Sequence, residues 1–306
     1  MEHIPVLLNE IIEYLQIDKD GTYVDATLGG GGHAEAVLKN LDNGRLIAFD
    51  QDSYAIEKAK ERLSCFEDKL IVINRNFKHM KMELAKREIT NIDGIYFDLG
   101  VSSFHFDDKN RGFSYREEAP LDMRMDQSAS LTARQVLNTY EESELRRILF
   151  EYGEERHARR IAAEIVKSRQ NEPIVTTFDL VDIVKKALPA KVLSKKGHPA
   201  KRTFQAIRIE VNDELDILKQ TFEDALNLLK PGGRLLVISF HSLEDKIVKD
   251  VFKAKSTIDF PKDIPIMPEE EAPFILASRK VVKPTAEEVA MNHRSHSAKL
   301  RVIEKK

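Results

Sequence analysis

The chain has 306 residues, which corresponds to about two domains or to one large α/β domain with an insertion. Hydrophobic residues make up 42% and charged residues 32%, so the composition excludes a disordered tail, and the net charge of −3 argues against a polycation that coats nucleic acid. A single cysteine, Cys65, excludes an internal disulfide framework. With no signal peptide pattern and only strand-length apolar runs, we expect a cytoplasmic protein without a membrane span.

Strand-like apolar runs alternate with helical segments through the first hundred residues. The predicted strands cover residues 22–27, 45–50, 70–74 and 93–98. Such alternation is typical of a parallel, doubly wound α/β sheet.

The alternation then stops until a strand at 234–240, fed by a helix at 214–229. A crossover between parallel strands needs only a dozen or more residues, so roughly 100 residues are left over. The surplus predicts helices at 142–152 and 155–169, and Thr176 with Asp179 forms a capping box before a third. We therefore predict an inserted helical domain at 109–204 within an α/β domain of residues 1–108 and 205–306. Strands at 274–282 and 298–303 are expected to pair antiparallel at one edge of the sheet.

A glycine run follows the first strand and fits the pattern of a cofactor-binding turn. Gly29, Gly31 and Ala34 match G-x-G-x-x-A, in which a ligand approaches the backbone at a strand-to-helix turn. Asp50 ends the second strand, where a carboxylate can accept both ribose hydroxyls. Alternatively, Asp50 caps the next helix, a role that Asp52 fits equally well. Together these features indicate an adenosine-type cofactor.

The identity of that cofactor depends on Asp25, which lies inside the first strand. A carboxylate there repels the pyrophosphate of NAD and suits the cationic amino acid portion of S-adenosylmethionine, directly or by bracing the loop. An NAD-dependent oxidoreductase remains an alternative. So does a non-catalytic RNA-binding factor that uses a basic stretch described below.

Six segments together resemble the RsmH (MraW) family of bacterial S-adenosylmethionine-dependent methyltransferases that act on small-subunit ribosomal RNA. They are TLGGGGH at 27–33, DLGVSS at 98–103, RGFS at 111–114, PLDMRMD at 120–126, RTFQAIR at 202–208 and SFHSLED at 239–245. The resemblance extends over nearly the whole chain. It implies a class I methyltransferase fold with an inserted helical domain for RNA recognition. It also implies S-adenosyl-L-methionine as cofactor, 16S rRNA of the small ribosomal subunit as partner, and N4 methylation of one cytidine in the decoding region. No metal is expected.

The resemblance also assigns residues to the cofactor. Gly31, Gly32 and His33 match the loop around the methionine portion, Asp50 would hold the ribose, and Phe77 would pack on adenine. Alternatively, His33 is a solvent-facing residue at a helix start, and Phe77 is an ordinary core aromatic.

Two further cofactor positions follow the fourth strand. His105 stands where the family usually has a glutamine that contacts the cofactor. Asp98 is the expected catalytic residue, because an acceptor for an N–H of the cytosine amine helps to localise its conjugated lone pair. Asp98 would serve the amine, the cofactor or both; alternatively, it caps the next turn.

Substrate residues are expected in two places. Ser102, Ser103, His241 and Ser242 lie at strand ends and are candidates to bind the cytosine edge, and either His241 or water would take the proton. The stretch 183–209 has no acidic residue. Its cations are expected to bracket the RNA, although a solvated surface is the alternative; the four candidates are Lys195, Lys196, Lys201 and Arg202.

Overall fold

The computed structural model describes residues 5–101, 108–258 and 271–306. The chain divides into two compact units, one of residues 1–100 with 215–306 and one of residues 101–214. The first unit contains the sheet and the second is helical.

Within the described residues, seven strands form one sheet in the order β3-β2-β1-β4-β5-β7-β6. Strands β1 to β5 are parallel, β7 is antiparallel to β5, and β6 is antiparallel to β7. This arrangement confirms the expected α/β sheet with antiparallel edge strands. The strands are β1 (Thr22–Asp25), β2 (Arg45–Asp50), β3 (Leu70–Asn74), β4 (Ile92–Asp98), β5 (Leu229–Ser239), β6 (Phe274–Leu276) and β7 (Lys299–Lys305).

The central strands are continuous apolar runs because both faces of a parallel sheet are covered. Val24, Ile47, Ile95 and Leu236 are fully buried in neighbouring strands. The covering helices carry an apolar stripe. The helices of this unit are α1 (Leu8–Leu15), α2 (Gly32–Lys39), α3 (Ser53–Arg62), α4 (Met80–Ala85), α11 (Leu218–Leu228), α12 (Ser242–Ser256) and α13 (Ala286–Met291), of which α13 has no buried residue.

Strand β5 begins earlier than the predicted 234. Leu229 already pairs with Ile92, and the ladder resumes at Arg234 beside Gly94 after a bulge. The Pro231-Gly-Gly sequence that predicts a helix stop therefore lies within the strand, and the preceding helix covers only Leu218–Leu228. At the other edge, β6 is shorter than predicted.

The second unit is built from helices α5 (Ala133–Thr139), α6 (Glu142–Glu151), α7 (Ala158–Arg169), α8 (Thr177–Ala187), α9 (Ala190–Leu193) and α10 (Lys201–Asn212). Its own hydrophobic core includes Leu145, Ile161, Leu180 and Ile207. The predicted capping box is present, because the Thr176 hydroxyl accepts from the Asp179 amide while the Asp179 carboxylate accepts from the Thr176 amide.

The observed limits of the two units differ from the predicted insertion of 109–204. The predicted boundary at 204/205 cuts helix α10, whose residues Phe204, Ala206 and Ile207 all pack into the core of the second unit. The helix therefore belongs to that unit as a whole, and the unit ends at Glu214. Along the described part of the chain, no helix is long and apolar enough to cross a membrane.

Candidate active site

The carboxyl ends of β1 and β4 lie next to each other at the point where the strand order reverses. From β1 the chain builds outward to β2 and β3, whereas β4 and β5 lie on the other side. Ligands of open α/β sheets bind in the crevice at such a switch point. The site is therefore expected where Asp25 ends β1 and Asp98 ends β4.

The glycine turn leads from β1 into α2 with two residues in the left-handed region. Gly29 has φ +50° and Gly31 has φ +75°, conformations that favour glycine because a Cβ would be strained. A Cβ on Gly31 would also lie 3.1 Å from Leu63 Cδ1, and a Cβ on Gly32 would collide with Pro5. The neighbouring residues therefore leave little room for a larger side chain at Gly31 or Gly32.

Asp50 fixes this turn from the end of β2. Its Oδ2 accepts from the Gly29 amide at 2.7 Å and its Oδ1 accepts from the Asp52 amide at 2.8 Å. The alternative role of Asp50 is to cap helix α3. Asp52 caps that helix instead, because its carboxylate accepts from the Tyr54 amide. A carboxylate has about four acceptor directions, so Asp50 can brace the turn and still accept from a hydroxyl.

Asp25 is buried, with 1% of the residue exposed. Its Oδ1 accepts from the Thr27 amide at 3.0 Å and its Oδ2 accepts from the Tyr96 hydroxyl at 2.8 Å. Burial, with a smaller contribution from the negative charge of Asp50, raises the pKa of Asp25 to about 7. Asp25 therefore braces the turn from below, and it adds negative charge to the crevice when it is ionised.

Asp98 differs from both because one oxygen of its side chain has no hydrogen-bond partner in the part of the chain that the structure describes. Its amide donates to the Thr27 hydroxyl at 2.7 Å, which ties the ends of β1 and β4 together. The Oδ2 atom lies 3.8 Å from His33 Nδ1, and 24% of the side chain is exposed. The Oδ1 atom is buried and has no hydrogen-bond partner within the described residues. A buried polar atom without a partner is costly, so this oxygen is poised to accept from a ligand.

The electrostatic environment of Asp98 favours a cationic ligand. Burial raises the pKa of Asp98 to about 8, and the negative charges of Asp25 and Glu244 contribute to that rise. A positive charge bound in the crevice would relieve this repulsion and favour the ionised carboxylate.

Glu244 is a site residue to which the sequence analysis assigns no role, although it lies in the SFHSLED segment. It is 2% exposed, and its Oε2 accepts from the amides of Phe240 at 2.8 Å and His241 at 3.2 Å. Its Oε1 lies 3.1 Å from His241 Nε2, although neither ring nitrogen of His241 forms a hydrogen bond within the described residues. Its position three residues after His241, at the start of α12, is the capping-box signal that could have identified it.

The remaining cofactor candidates lie around the same strand ends. His33 is buried, which excludes the solvent-facing alternative, and its Nε2 lies 2.8 Å from the Val6 carbonyl oxygen. Phe77 follows β3 on a short 3₁₀ turn and packs edge-on against Phe97 at 5.5 Å between ring centres, so part of its ring surface serves the core. His105 lies outside the described residues.

The substrate candidates are divided between the two units. Ser102 and Ser103 lie outside the described residues, and Ser242 is an exposed residue at the start of α12. In the second unit, Arg202 donates from Nη1 to the Glu154 carbonyl oxygen at 3.0 Å. All four basic candidates of that unit are exposed: Lys195, Lys196, Lys201 and Arg202.

Comparison with known proteins gives the family. The model of the MraW methylase family matches residues 1–306. The chain belongs to this family. A relative from Lactobacillus delbrueckii subsp. bulgaricus, named ribosomal RNA small subunit methyltransferase H, is 52% identical over 310 residues that cover 99% of both chains. A relative from Lactobacillus gasseri with the same name is 52% identical over 311 residues, again 99% of both chains.

Membership of the MraW methylase family confirms the resemblance seen in the motifs and makes the protein an S-adenosylmethionine-dependent methyltransferase. The alternative of an NAD-dependent oxidoreductase is therefore wrong. The residues present fit the cofactor, because the sulfonium and ammonium groups of the cofactor are cationic and the crevice holds the carboxyl groups of Asp25, Asp98 and Glu244. Among the described residues, Asp98 Oδ1 has no hydrogen-bond partner and can accept from a ligand. In the described residues, no group of three or more His, Cys, Asp or Glu side chains is arranged to hold a metal ion.

Proposed function

We propose that this MraW-family methyltransferase transfers the methyl group of S-adenosylmethionine to the exocyclic N4 amine of a cytidine in the decoding region of 16S ribosomal RNA, in the cytoplasm. The observation that carries the chemistry is the buried Asp98 Oδ1, which has no hydrogen-bond partner among the described residues. The choice of RNA and base is supported by the names of the relatives and by the six family segments.

The cofactor is held by residues at the ends of β1, β2 and β4. Gly31, Gly32 and His33 bind the methionine portion, and Asp50 accepts hydrogen bonds from the ribose hydroxyls while it braces Gly29. Phe77 packs on the adenine. When bound, the cofactor supplies an electrophilic methyl group on a positively charged sulfur.

His105 is also proposed to contact the cofactor, because it occupies a position that contacts the cofactor in the family. Its imidazole retains the ability to form a hydrogen bond at a place where the family usually has glutamine.

Asp98 prepares the amine for attack. The N4 lone pair of cytosine is conjugated into the ring, so the free amine is a poor nucleophile. When Asp98 Oδ1 accepts one N–H of this amine, the lone pair becomes more localised and is aligned with the methyl group. Orientation of this kind is worth effective molarities of about 10⁵ M or more. The same carboxylate balances the positive charge of the bound cofactor, so one residue serves both partners.

The cytosine edge is contacted by Ser102, Ser103, His241 and Ser242. His241 lies beside Glu244, whose Oε1 is 3.1 Å from the imidazole Nε2. If the imidazole takes the proton released by the methylated amine, the Glu244 carboxylate stabilises the resulting cation. This arrangement supports His241 in preference to bulk water as the first proton acceptor.

The second unit binds the RNA through its exposed cations, Lys195, Lys196, Lys201 and Arg202. Removing the target base from its stack costs a few kcal/mol, and contacts to the flanking phosphates offset that cost. The substrate is 16S rRNA within the small ribosomal subunit.

Mass mapping of methylated nucleotides in small-subunit rRNA tests the function. Ribosomal RNA from cells that lack the protein should miss one N4-methylated cytidine, and wild-type protein with S-adenosylmethionine should restore it in vitro. A protein with Asp98→Asn is the matched control, because it preserves the side-chain volume. If this variant restored the modification at the wild-type rate, the role of Asp98 would be overturned. If rRNA from cells without the protein still carried the modification, the proposed function would be overturned.

A further inference from the structure

A pair of stacked rings lies in the second unit next to the basic stretch. The Tyr115 and His198 rings are 4.3 Å apart between centres and inclined by only 15°. Phe204, which is buried in α10, packs edge-on against Tyr115 at 5.7 Å and anchors the pair to the core. Both stacked rings remain partly exposed to solvent. The pair is thus a rigid aromatic surface that its own unit covers only in part.

The hydrogen bonding of His198 leaves one polar atom for a ligand. The Ala200 amide donates to His198 Nδ1 at 3.3 Å, so Nδ1 acts as an acceptor and Nε2 carries the proton of the neutral ring. Among the described residues, the Nε2 atom has no hydrogen-bond partner. Burial lowers the pKa of His198, and the positive charges of Lys185 and Arg116 lower it further. The ring is therefore a flat, neutral platform with one N–H donor at neutral pH.

Two cations lie near this platform. The Arg116 guanidinium lies 6.0 Å from the centre of the Tyr115 ring, and Lys185 is close enough to lower the pKa of His198. Lys185 also pairs with the exposed Asp182 at 3.4 Å, a contact that a phosphate would replace. The exposed residues Lys195 and Lys196 precede His198 in the chain. Aromatic rings combined with exposed cations are the usual components of a site for unpaired nucleotides, in which bases stack and phosphates pair with charge.

We infer that Tyr115 and His198 form a stacking subsite for one unpaired base of the RNA substrate, with Arg116 and Lys185 binding its phosphates. The inference rests on the proposed function and specifies how the second unit would recognise RNA. Since Tyr115 covers one face of the imidazole, the base stacks on the other face, while the Nε2–H points outward in the ring plane and is left to donate to an oxygen of the RNA backbone. Neither ring is part of the proposed reaction centre, so the pair selects and positions RNA rather than taking part in the chemistry.

Binding of fluorescently labelled RNA tests the subsite. The probe is a single-stranded segment of small-subunit rRNA that contains the methylated nucleotide, and its nucleotides are replaced one at a time by abasic residues. Loss of one stacked base reduces affinity about 5- to 150-fold, which corresponds to about 1–3 kcal/mol. His198→Ala should weaken RNA binding by about fivefold or more. One abasic position in the probe should weaken RNA binding by wild type, but it should not weaken binding by His198→Ala any further. His198→Phe should recover most of the affinity, because it restores an aromatic face.

Phe150→Ala provides the matched control. Phe150 is an aromatic residue on α6 that is 65% exposed, and its replacement should leave RNA affinity unchanged. Equal RNA affinity of wild type and His198→Ala would overturn the subsite. So would additive losses, in which each abasic position weakens RNA binding by His198→Ala as much as it weakens binding by wild type. Methyl transfer is measured separately on small ribosomal subunits that lack the modification. Absence of methyl transfer by wild type would refute the proposed function. Normal methyl transfer by wild type, together with unchanged RNA affinity of His198→Ala, would refute only the subsite.

Discussion

Replacing Asp98 by Asn should make the ligand-free protein more stable while it makes the enzyme slower. The carboxyl is held in the crevice with one oxygen that lacks a partner, beside Asp25 and Glu244. Its pKa is about 8 in the folded chain, against an ordinary value of 3.8. The folded state therefore binds this proton more tightly than the unfolded state, so ionisation of Asp98 destabilises the fold.

The size of the effect follows from that difference in pKa. About four pKa units at 1.36 kcal/mol each give a maximum of about 5 kcal/mol. A quarter of the side chain is exposed and solvent screens part of the effect, so we expect about 2–3 kcal/mol at pH 8. For a protein of this size, that corresponds to an increase in Tm of about 5 °C.

The sign of the pH dependence separates this explanation from improved packing. Below pH 4, both states hold the proton, and Asp98→Asn should match wild type in stability. As the pH rises from 4 to 8, wild type should lose stability relative to the variant, and the difference should level off about one pH unit above the pKa of about 8. Urea unfolding of the full chain at pH 4, 6 and 8 measures it. A variant that is equally stabilised at all three values, or not stabilised at pH 8, would refute the reasoning.

The same variant should lower the turnover number for methyl transfer at saturating cofactor; an unchanged turnover number would leave Asp98 as a binding residue only. Asp50→Ala should weaken S-adenosylmethionine binding by about 1.5–3 kcal/mol, because it removes a charge-assisted acceptor; unchanged affinity in calorimetry would exclude Asp50 from the site. Replacing both Lys195 and Lys196 by Ala should weaken RNA binding, leave cofactor affinity unchanged, and reduce the slope of log affinity against log salt by about 0.7 for each phosphate that the variant no longer neutralises. An unaltered salt slope would return this lysine pair to a solvated surface. Glu244→Gln removes a negative charge that raises the pKa of Asp98, so the acidic limb of the pH profile of methyl transfer should shift to lower pH; an unshifted limb would show that Asp98 ionisation does not control it.

Features with local causes can be predicted from the sequence. The ends of β2 and β4 are predictable because an apolar run stops at Asp50 and Asp98, and burial of apolar residues sets where a central strand lies. The capping box of Thr176 and Asp179 is predictable because both partners lie within one turn of helix.

Features that depend on distant contacts cannot be predicted in this way. The predicted start of β5 is too late because Pro231 and Gly232 normally end structure, while pairing of Leu229 with Ile92 is invisible in the local pattern. The capping position of Glu244 can be read from the sequence, but its effect on Asp98 cannot, because that effect exists only after β4 and β5 have paired. The predicted end of the second unit is too early because the apolar face of α10 continues beyond residue 204 into the core of that unit.

The position of the insertion has a consequence for how the protein is made. Strands β4 and β5 are hydrogen-bonded neighbours, yet the whole unit of residues 101–214 is synthesised between them. A nascent chain can assemble β3, β2, β1 and β4 early, but β4 then remains an open edge until β5 leaves the ribosome. Open edges of apolar parallel strands promote aggregation. Rapid folding of the inserted helices around their own core would shorten the effective loop that must close and protect that edge sooner. Mutations that slow the folding of the helical unit should therefore reduce the yield of soluble enzyme even where the active site is untouched.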